Sequence, residues 1–220
     1  MGPIRLKPDL IIFDCDGVLV DSELLSCQGL SEVLAEFGLA LTPAQALELF
    51  LGRSTKAIEQ HYRDLGQVLP EGFLPRLKSH VLATFAGSLR AIPGVAAIMS
   101  ELRMPFCVAS SSDIDRVSLS LDVTDLRANV GERIYTAQMV RHGKPAPDLF
   151  LLAAEKMGAH PARTLVIEDS VSGVQAGKAA GMTVWGFVGG SHYHGRDGRA
   201  ILSEAGADRV FADMSDFWEG

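Results

Sequence analysis

The sequence predicts an α/β fold, in which a parallel sheet forms the core and an all-helical block is inserted after the first strand. Leu10–Phe13 is a short apolar run preceded by Pro8, a pattern typical of a fully buried strand in a parallel sheet. No strand pattern occurs from residue 24 to residue 86. From Ile92 onward, apolar runs alternate with helical patterns, which indicates further parallel strands joined by helical crossovers.

Four helices are predicted in the block that follows the first strand. The segment from Glu23 to Phe37 carries apolar residues at three- and four-residue spacing, beginning with Leu24. Pro43 suits the first turn of a second helix, and Ser54 is a candidate cap for a third. The fourth helix is predicted over about residues 71–85.

The second half of the chain predicts the rest of the sheet. Right-handed crossovers place the carboxyl ends of all parallel strands at one edge, where ligands bind. The predicted strands are 105–109, 134–137, 164–167, 183–188 and 209–211, and the predicted helices are 95–102, 114–121, 147–157, 171–180 and about 200–205.

Composition excludes several classes of protein. The 220 residues are 47% hydrophobic and 21% charged, so a packed core is expected. A net charge of -7 without a basic patch argues against a nucleic-acid partner, and no apolar stretch is long enough to span a membrane. Cys15, Cys27 and Cys107 have no paired spacing, and residues 1–5 show no secretory signal. We therefore expect a reduced, cytoplasmic protein, and a monomer.

Two pairs of acidic residues directly follow predicted buried strands. Asp14 and Asp16 lie on one face because side chains alternate along a strand, and Glu168 and Asp169 follow the strand at 164–167. Carboxylates in such places are costly unless a cation or a proton offsets them. Oxygen ligands beside a phosphate suit Mg²⁺, whereas zinc prefers thiol and imidazole ligands. For each pair the alternative is an ordinary turn or helix cap.

Ser110 and Lys144 are candidate phosphate ligands. Ser110 follows an apolar strand, and its hydroxyl together with the amides of the next helix suits a phosphate oxygen. The alternative is that Ser110–Ser112 only cap that helix. Two nearby prolines fix where Lys144 emerges, so its ammonium can hold a phosphate and offset carboxylates, although most lysines are solvated.

These residues carry a family resemblance. The stretch Asp14–Ser22 resembles the first motif of the haloacid dehalogenase superfamily, in its phosphatase and phosphomutase branch. Ser110, Lys144 and the pair Glu168–Asp169 match the second, third and fourth motifs in the order that this family requires. The resemblance implies that Ser110 and Lys144 hold the oxygens of a transferring phosphoryl group.

The resemblance also implies roles for the acidic residues. Asp14 would attack phosphorus in line and form an aspartyl-phosphate, while Asp16 would protonate the leaving oxygen and then act as a base. Mg²⁺ would be held by Asp14, the backbone carbonyl of Asp16 and Asp169, with Glu168 orienting a metal-bound water or ligating directly. The dehalogenase branch needs neither the second aspartate nor a metal, so the presence of Asp16 favours phosphate transfer.

The resemblance further implies two domains. A Rossmann-like catalytic core would comprise residues 1–20 and 88–220, and a helical cap domain would comprise residues 21–87. An ordinary helical subdomain without contact to the site is the alternative.

The predicted cap should select the substrate. Gly52–Lys56 resembles the cap loop that faces the site in the beta-phosphoglucomutase-like group, whose mutases have an arginine where this chain has Thr55. We therefore expect Mg²⁺-dependent hydrolysis of a small sugar or polyol phosphate. A sugar phosphomutase is the alternative, with Arg53 and Lys56 replacing the missing arginine. The structural alternative for both residues is that they only lie at the solvated start of a helix. A non-catalytic sugar-phosphate binder is disfavoured because such proteins usually lose a motif aspartate or the lysine.

The loop at residues 189–194 follows the carboxyl end of a predicted strand and so borders the predicted site. Its two histidines, His192 and His194, are separated by one residue. This spacing indicates a metal site only weakly, and a mobile surface loop is the favoured prediction.

Overall fold

The structure, a computed structural model, describes residues 8–218. The predictions for residues 1–7, which begin the predicted core and show no secretory signal, lie outside the described residues. Within the described part, six strands form the sheet: β1 (Leu10–Phe13), β2 (Phe106–Ser110), β3 (Ile134–Thr136), β4 (Thr164–Glu168), β5 (Thr183–Phe187) and β6 (Arg209–Phe211).

All five pairings between neighbouring strands are parallel, in the order β3-β2-β1-β4-β5-β6, which confirms the predicted α/β fold. β1 is central, and its Ile12 is in register with Cys107 of β2 and Val166 of β4. The carboxyl ends of β1, β2 and β4 therefore meet at one edge. Asp14 follows the first of these strands, Ser110 ends the second and Glu168 ends the third.

Helices surround the sheet, five of them between β1 and β2. The described helices are α1 (Glu23–Glu36), α2 (Pro43–Phe50), α3 (Thr55–Asp64), α4 (Phe73–Ser88), α5 (Val95–Glu101), α6 (Ile114–Val123), α7 (Arg127–Val130), α8 (Asp148–Lys156), α9 (Val171–Ala179) and α10 (Gly198–Glu204).

Local signals account for most of the helix boundaries. Thr42 and Gln45 form a reciprocal capping box at the start of α2, with Pro43 in the first turn as predicted. Ser54 precedes α3, but its side chain accepts no hydrogen bond there, so the predicted cap is wrong in that detail. Leu24 was predicted on the apolar face of α1 and is 44% exposed, because the first turn buries Glu23 instead. The four-residue helix α7 was not predicted.

Two apolar clusters cover the two faces of the sheet. Ile11 and Phe13 belong to one cluster and Leu10 and Ile12 to the other, since alternate residues of a strand point to opposite faces. The first cluster continues into α1 and α4, so these helices share a core with the sheet. In the part of the chain that the structure describes, no helix combines the length and the apolar character that crossing a bilayer requires.

Candidate active site

The carboxyl edge of the sheet brings the residues predicted in the core motifs together. Asp14 and Asp16 follow β1, and both are buried although they are acidic. Ser110 at the end of β2 and the pair Glu168–Asp169 at the end of β4 are also buried. Lys144, on the segment before α8, donates hydrogen bonds to Asp14 and Glu168, and Asp169 lies close to both carboxylates. Ser110 donates a hydrogen bond to Asp16.

Lys144 lies between two carboxylates. Its Nζ donates to Asp14 Oδ1 at 2.6 Å, to Glu168 Oε1 at 2.7 Å and to the carbonyl of Ala109 at 3.0 Å. Only 1% of its side chain is exposed. Burial by itself would lower the pKa of Lys144, but the two carboxylates raise the pKa above its usual value, so the ammonium keeps its charge. The three donor positions hold this cation in one place.

Asp14, Glu168 and Asp169 form a compact carboxylate cluster. One oxygen of each lies within 4.8 Å of the others, a spacing that suits a shared metal ion. Burial, opposed by Lys144 and reinforced by the other carboxylates, raises the pKa of Asp14 well above its usual value. Burial and the neighbouring Glu168 do the same to the pKa of Asp169. Three such groups can all be ionised only when a cation offsets them.

The two carboxylates that end β4 differ in their hydrogen bonds. Glu168 Oε1 accepts from Lys144, and its Oε2 accepts from the amide and the hydroxyl of Ser170, each at 2.9 Å. Both oxygens of Asp169 are buried, and neither has a hydrogen-bond partner in the described chain. Gly17, at φ 76°, leaves the space beside Asp169, because a Cβ there would overlap Asp169 Oδ2. Orphaned carboxylate oxygens beside other acidic ligands fit a hard divalent cation.

Asp16 is held as an anion. Its Oδ1 accepts from Arg116 Nη2 at 2.6 Å and from Ser22 Oγ at 2.7 Å. Its Oδ2 accepts from Ser112 Oγ at 2.7 Å and from Ser110 Oγ at 3.4 Å. Burial alone would raise the pKa of Asp16, but Arg116 and these hydroxyls hold the pKa below its usual value. The four donors also fix the direction of the carboxylate.

Arg116 was not predicted as a site residue. It lies in the first turn of α6, and its guanidinium packs over the ring of Phe85 from α4 at 4.8 Å. Side chains in the first turn of a helix point back toward its N-terminus, here toward the carboxyl end of β2. A first-turn cation after the Ser110 strand was therefore an available sequence signal.

Glu23 was also missed, since the sequence placed it at the start of an amphipathic helix. It is 6% exposed, and its carboxyl forms no hydrogen bond with the described residues. Burial raises the pKa of Glu23 to about 8, and the negative charges of Asp169 and Asp16 contribute to this increase. At neutral pH the group therefore retains its proton.

The loop after β5 overturns a prediction. His192 and Tyr193 lie in a short 3-10 helix and are 2% and 5% exposed, so the predicted mobile surface loop is wrong for both residues. Tyr193 Oη donates to the carbonyl of Asp169 at 2.6 Å, and His192 Nε2 lies 3.2 Å from Asp169 Oδ2. Ser191 anchors the loop through two hydrogen bonds to Asp21. The loop folds inward because its rings fill the space beside the β4 carboxylates.

The predicted cap loop reaches the site. The carbonyl of Gly52 accepts from Ser111 Oγ and from Ser172 Oγ, both at 3.2 Å, and so joins the loop to the end of β2 and the start of α9. Arg53 is exposed but lines the cavity that contains Asp14 and Asp16. Lys56 lines an adjoining cavity with Arg53 instead. Of the two predicted cap cations, Arg53 therefore shares a cavity with Asp14 and Asp16, whereas Lys56 does not line that cavity.

This cavity, called the reaction cavity below, lies between the loop after α2 and the sheet edge. Residues that follow β1 and β2 line one side of the cavity, and residues of the helical block line the other. Its lining residues are Asp14, Asp16, Glu23, Phe50, Gly52, Arg53, Ser111, Ser112 and Arg116.

Comparison with known proteins gives the same family as the motifs. Residues 11–187 match the family described as haloacid dehalogenase-like hydrolase. The chain is 36% identical over 180 residues to fructose-1-phosphate phosphatase YqaB of Escherichia coli, covering 78% of this chain and 92% of that protein. It is 28% identical over 186 residues to 6-phosphogluconate phosphatase of the same organism, covering 84% of each.

Solved structures agree with this assignment. The crystal structure of a haloacid dehalogenase family hydrolase from Deinococcus radiodurans, with bound phosphate and sodium, matches with a TM-score of 0.76 and 38% identity. The match covers 97% of this chain and 94% of that one. The family predicted from the four motifs is therefore confirmed, and the chain belongs to the haloacid dehalogenase-like hydrolases.

Proposed function

We propose that the chain is a Mg²⁺-dependent phosphatase that hydrolyses a small sugar or polyol phosphate through an aspartyl-phosphate on Asp14. The observation that carries the proposal is the position of Lys144 between Asp14 and Glu168, beside the orphaned oxygens of Asp169. The named activities of the two Escherichia coli relatives, on fructose 1-phosphate and 6-phosphogluconate, support a phosphorylated carbohydrate as the substrate class.

Asp14 is the proposed nucleophile. Lys144 holds its Oδ1, which leaves Oδ2 free of hydrogen bonds to the described residues and available for in-line attack on phosphorus. The bond from phosphorus to the ester oxygen breaks as the new bond to Asp14 forms. Lys144 and the Ser110 hydroxyl are the proposed ligands of the phosphoryl oxygens, and positioning and charge of this kind provide most of the rate in phosphoryl transfer.

The carboxylate cluster is the proposed Mg²⁺ site. Asp169 is the best direct ligand because its oxygens are unpartnered, and Asp14 and the backbone carbonyl of Asp16 complete the proposed set. Both oxygens of Glu168 already accept hydrogen bonds, from Lys144 and from Ser170. Glu168 is therefore proposed to position the neighbouring groups and not to bind the metal directly. When bound, Mg²⁺ supplies positive charge that offsets both the carboxylates and the phosphoryl group.

Asp16 is the proposed acid and base. It would give a proton to the leaving oxygen in the first half of the reaction. In the second half it would take a proton from the water that attacks the aspartyl-phosphate, which releases phosphate and restores Asp14. The ion pair with Arg116 favours the ionised form of Asp16, which the second half requires, and the first half uses the fraction of Asp16 that has taken up a proton from solvent.

The helices α1–α4 are the proposed cap, following the predicted division at residues 21–87. The contacts of Gly52 with Ser111 and Ser172 support this role, because they close the cap loop over the sheet edge. A sugar phosphomutase is the second candidate, favoured by the position of Arg53 on the wall of the reaction cavity. In that alternative, Arg53 would hold the second phosphate group that a mutase requires.

The test is an assay of the purified protein on a panel of sugar and polyol phosphates, with Mg²⁺ or with chelator. Both free phosphate and isomerised sugar phosphate are measured. We expect metal-dependent phosphate release, which Asp14→Asn abolishes while its circular dichroism spectrum stays unchanged. Asp125→Asn is the matched control, because Asp125 is exposed beyond α6 and its positive φ of 59° suits asparagine. Isomerisation without release identifies a mutase, and no turnover of any substrate contradicts the proposal.

A further inference from the structure

Glu23 lines the reaction cavity but has no role in the proposed chemistry. It is the first residue of α1 and lies on the same cavity wall as Asp16 and Arg116. If the phosphate of a bound ester lies beside Asp14, as the proposed function requires, the carbon portion would occupy the rest of the cavity, which Glu23 and Phe50 help to line. Glu23 is therefore a protein group that the hydroxyls of a substrate would meet.

Three properties of Glu23 point to a ligand. The residue is more than nine-tenths buried, with 6% exposure. It forms neither a hydrogen bond nor a salt bridge with any described residue, although Arg116 lines the same cavity. Its carboxyl oxygens are not among the fully buried, unpartnered polar atoms of the described residues, so they stay accessible from the reaction cavity, where a ligand or a water can satisfy them.

A structural role explains these properties less well. An acidic residue in the first turn stabilises a helix through the macrodipole, but an exposed side chain does this equally well. Burial beside Asp16 and Asp169 instead raises the pKa of Glu23 to about 8, a cost that a purely structural residue would not require. A protonated carboxyl is both a donor and an acceptor, as a sugar hydroxyl is.

We propose that Glu23 is a specificity residue that hydrogen-bonds the hydroxyl groups of the sugar or polyol portion of the substrate. The inference rests on the proposed function and identifies the hydroxyl groups as the part of the substrate that the protein recognises. It predicts selection for phosphate esters with a hydroxyl near the phosphate over esters that carry none. A site that hydrogen-bonds a hydroxyl rejects an analogue without one, because its own polar group is left unpaired.

The test compares Glu23→Met, which keeps the length of the side chain but removes its hydrogen bonds, with Glu23→Gln, which keeps both a donor and an acceptor. The two substrates are the best sugar phosphate of the panel and acetyl phosphate, which has no hydroxyl. We expect Glu23→Met to lower kcat/KM for the sugar phosphate about 10- to 100-fold, mainly through KM, and to change acetyl phosphate hydrolysis less than about threefold. Glu23→Gln should restore most of the selectivity. Glu101→Gln, on exposed Glu101, is the control.

Deoxy analogues of the same sugar phosphate provide a measurement on the unmodified protein, which serves if Glu23→Met does not fold. Removal of the hydroxyl that Glu23 binds should cost the unmodified protein the same factor, and it should cost Glu23→Met almost nothing. Equal losses on both substrates, or no deoxy analogue that loses activity, would overturn the inference while the proposed function stands. If the unmodified protein hydrolyses neither substrate, the proposed function fails and the inference fails with it.

Discussion

Glu23→Gln is expected to stabilise the folded protein at pH 8 and to leave its stability unchanged near pH 5. Burial, together with Asp169 and Asp16, raises the pKa of Glu23 from 4.5 to about 8, while Arg116 and His192 act in the opposite direction. Between these two values the folded chain holds a proton that the unfolded chain has released. The free energy of unfolding therefore falls as the pH rises through this interval.

The size of the effect follows from the width of that interval. For each pH unit in which only the folded chain holds the proton, the free energy of unfolding falls by about 1.4 kcal/mol. From 4.5 to about 8 the loss reaches at most about 5 kcal/mol. Glutamine has nearly the shape of a protonated glutamate and no proton to release, so the variant avoids this loss. In a chain of this length, 1 kcal/mol changes Tm by about 2–4 °C.

The measurement is urea unfolding of the two proteins at pH 5, 6, 7 and 8, in chelator so that no divalent cation is bound. The difference in unfolding free energy should be near zero at pH 5 and grow steadily to pH 8. Glu101→Gln, on an exposed residue at the end of α5, should show no such growth. A difference for Glu23→Gln that is the same at every pH would refute the reasoning.

Three further substitutions test the other charged groups. Lys144→Met should lower the free energy of unfolding by about 3–5 kcal/mol in chelator, because two buried carboxylates lose their cation, as urea unfolding at pH 7 would measure. Arg116→Met should raise the pKa of Asp16, so the fall in kcat/KM that accompanies loss of the Asp16 proton should move to higher pH. His192→Asn should weaken Mg²⁺ binding in calorimetric titration, because the buried imidazole lies 3.2 Å from Asp169 Oδ2 and confines that carboxylate by packing, without a hydrogen bond.

Each of these variants has a surface counterpart of the same residue type. Lys178→Met removes a half-exposed ion pair and should cost at most about 1 kcal/mol. Arg127→Met and His142→Asn change exposed ion pairs outside the reaction cavity. Equal effects in a site variant and its counterpart would contradict the role given to that site residue.

The motif residues were predictable because position along a strand determines them. Asp14, Ser110 and Glu168 each stand at the carboxyl end of a short apolar run, and parallel strands bring such ends together whatever the distance along the chain. Periodicity alone also indicated the order in which strands and helices follow one another along the chain. These inferences need only local pattern and the handedness of the crossovers.

The residues that sequence analysis missed depend on packing between distant segments. Glu23 is buried because the first turn of α1 rotates it, rather than Leu24, toward the cavity. His192 is buried because its loop folds onto Asp169, which Gly190 allows, since a Cβ there would overlap the imidazole. Neither outcome follows from propensity, because helix rotation and loop placement are set by tertiary contacts.

The balance of charge at the sheet edge links the binding of a cation to the binding of a phosphate. Lys144 and Arg116 face more buried carboxyl groups than two cations can neutralise. A phosphate ester adds further negative charge, so it binds well only when a divalent cation or added protons offset the carboxylates. Linkage then requires Mg²⁺ and phosphate to tighten each other's binding by the same factor, and a phosphate Kd that is equal with and without Mg²⁺ would contradict this. The buried acidic residues of the described chain all lie at this edge: Asp14, Asp16, Glu23, Glu168 and Asp169.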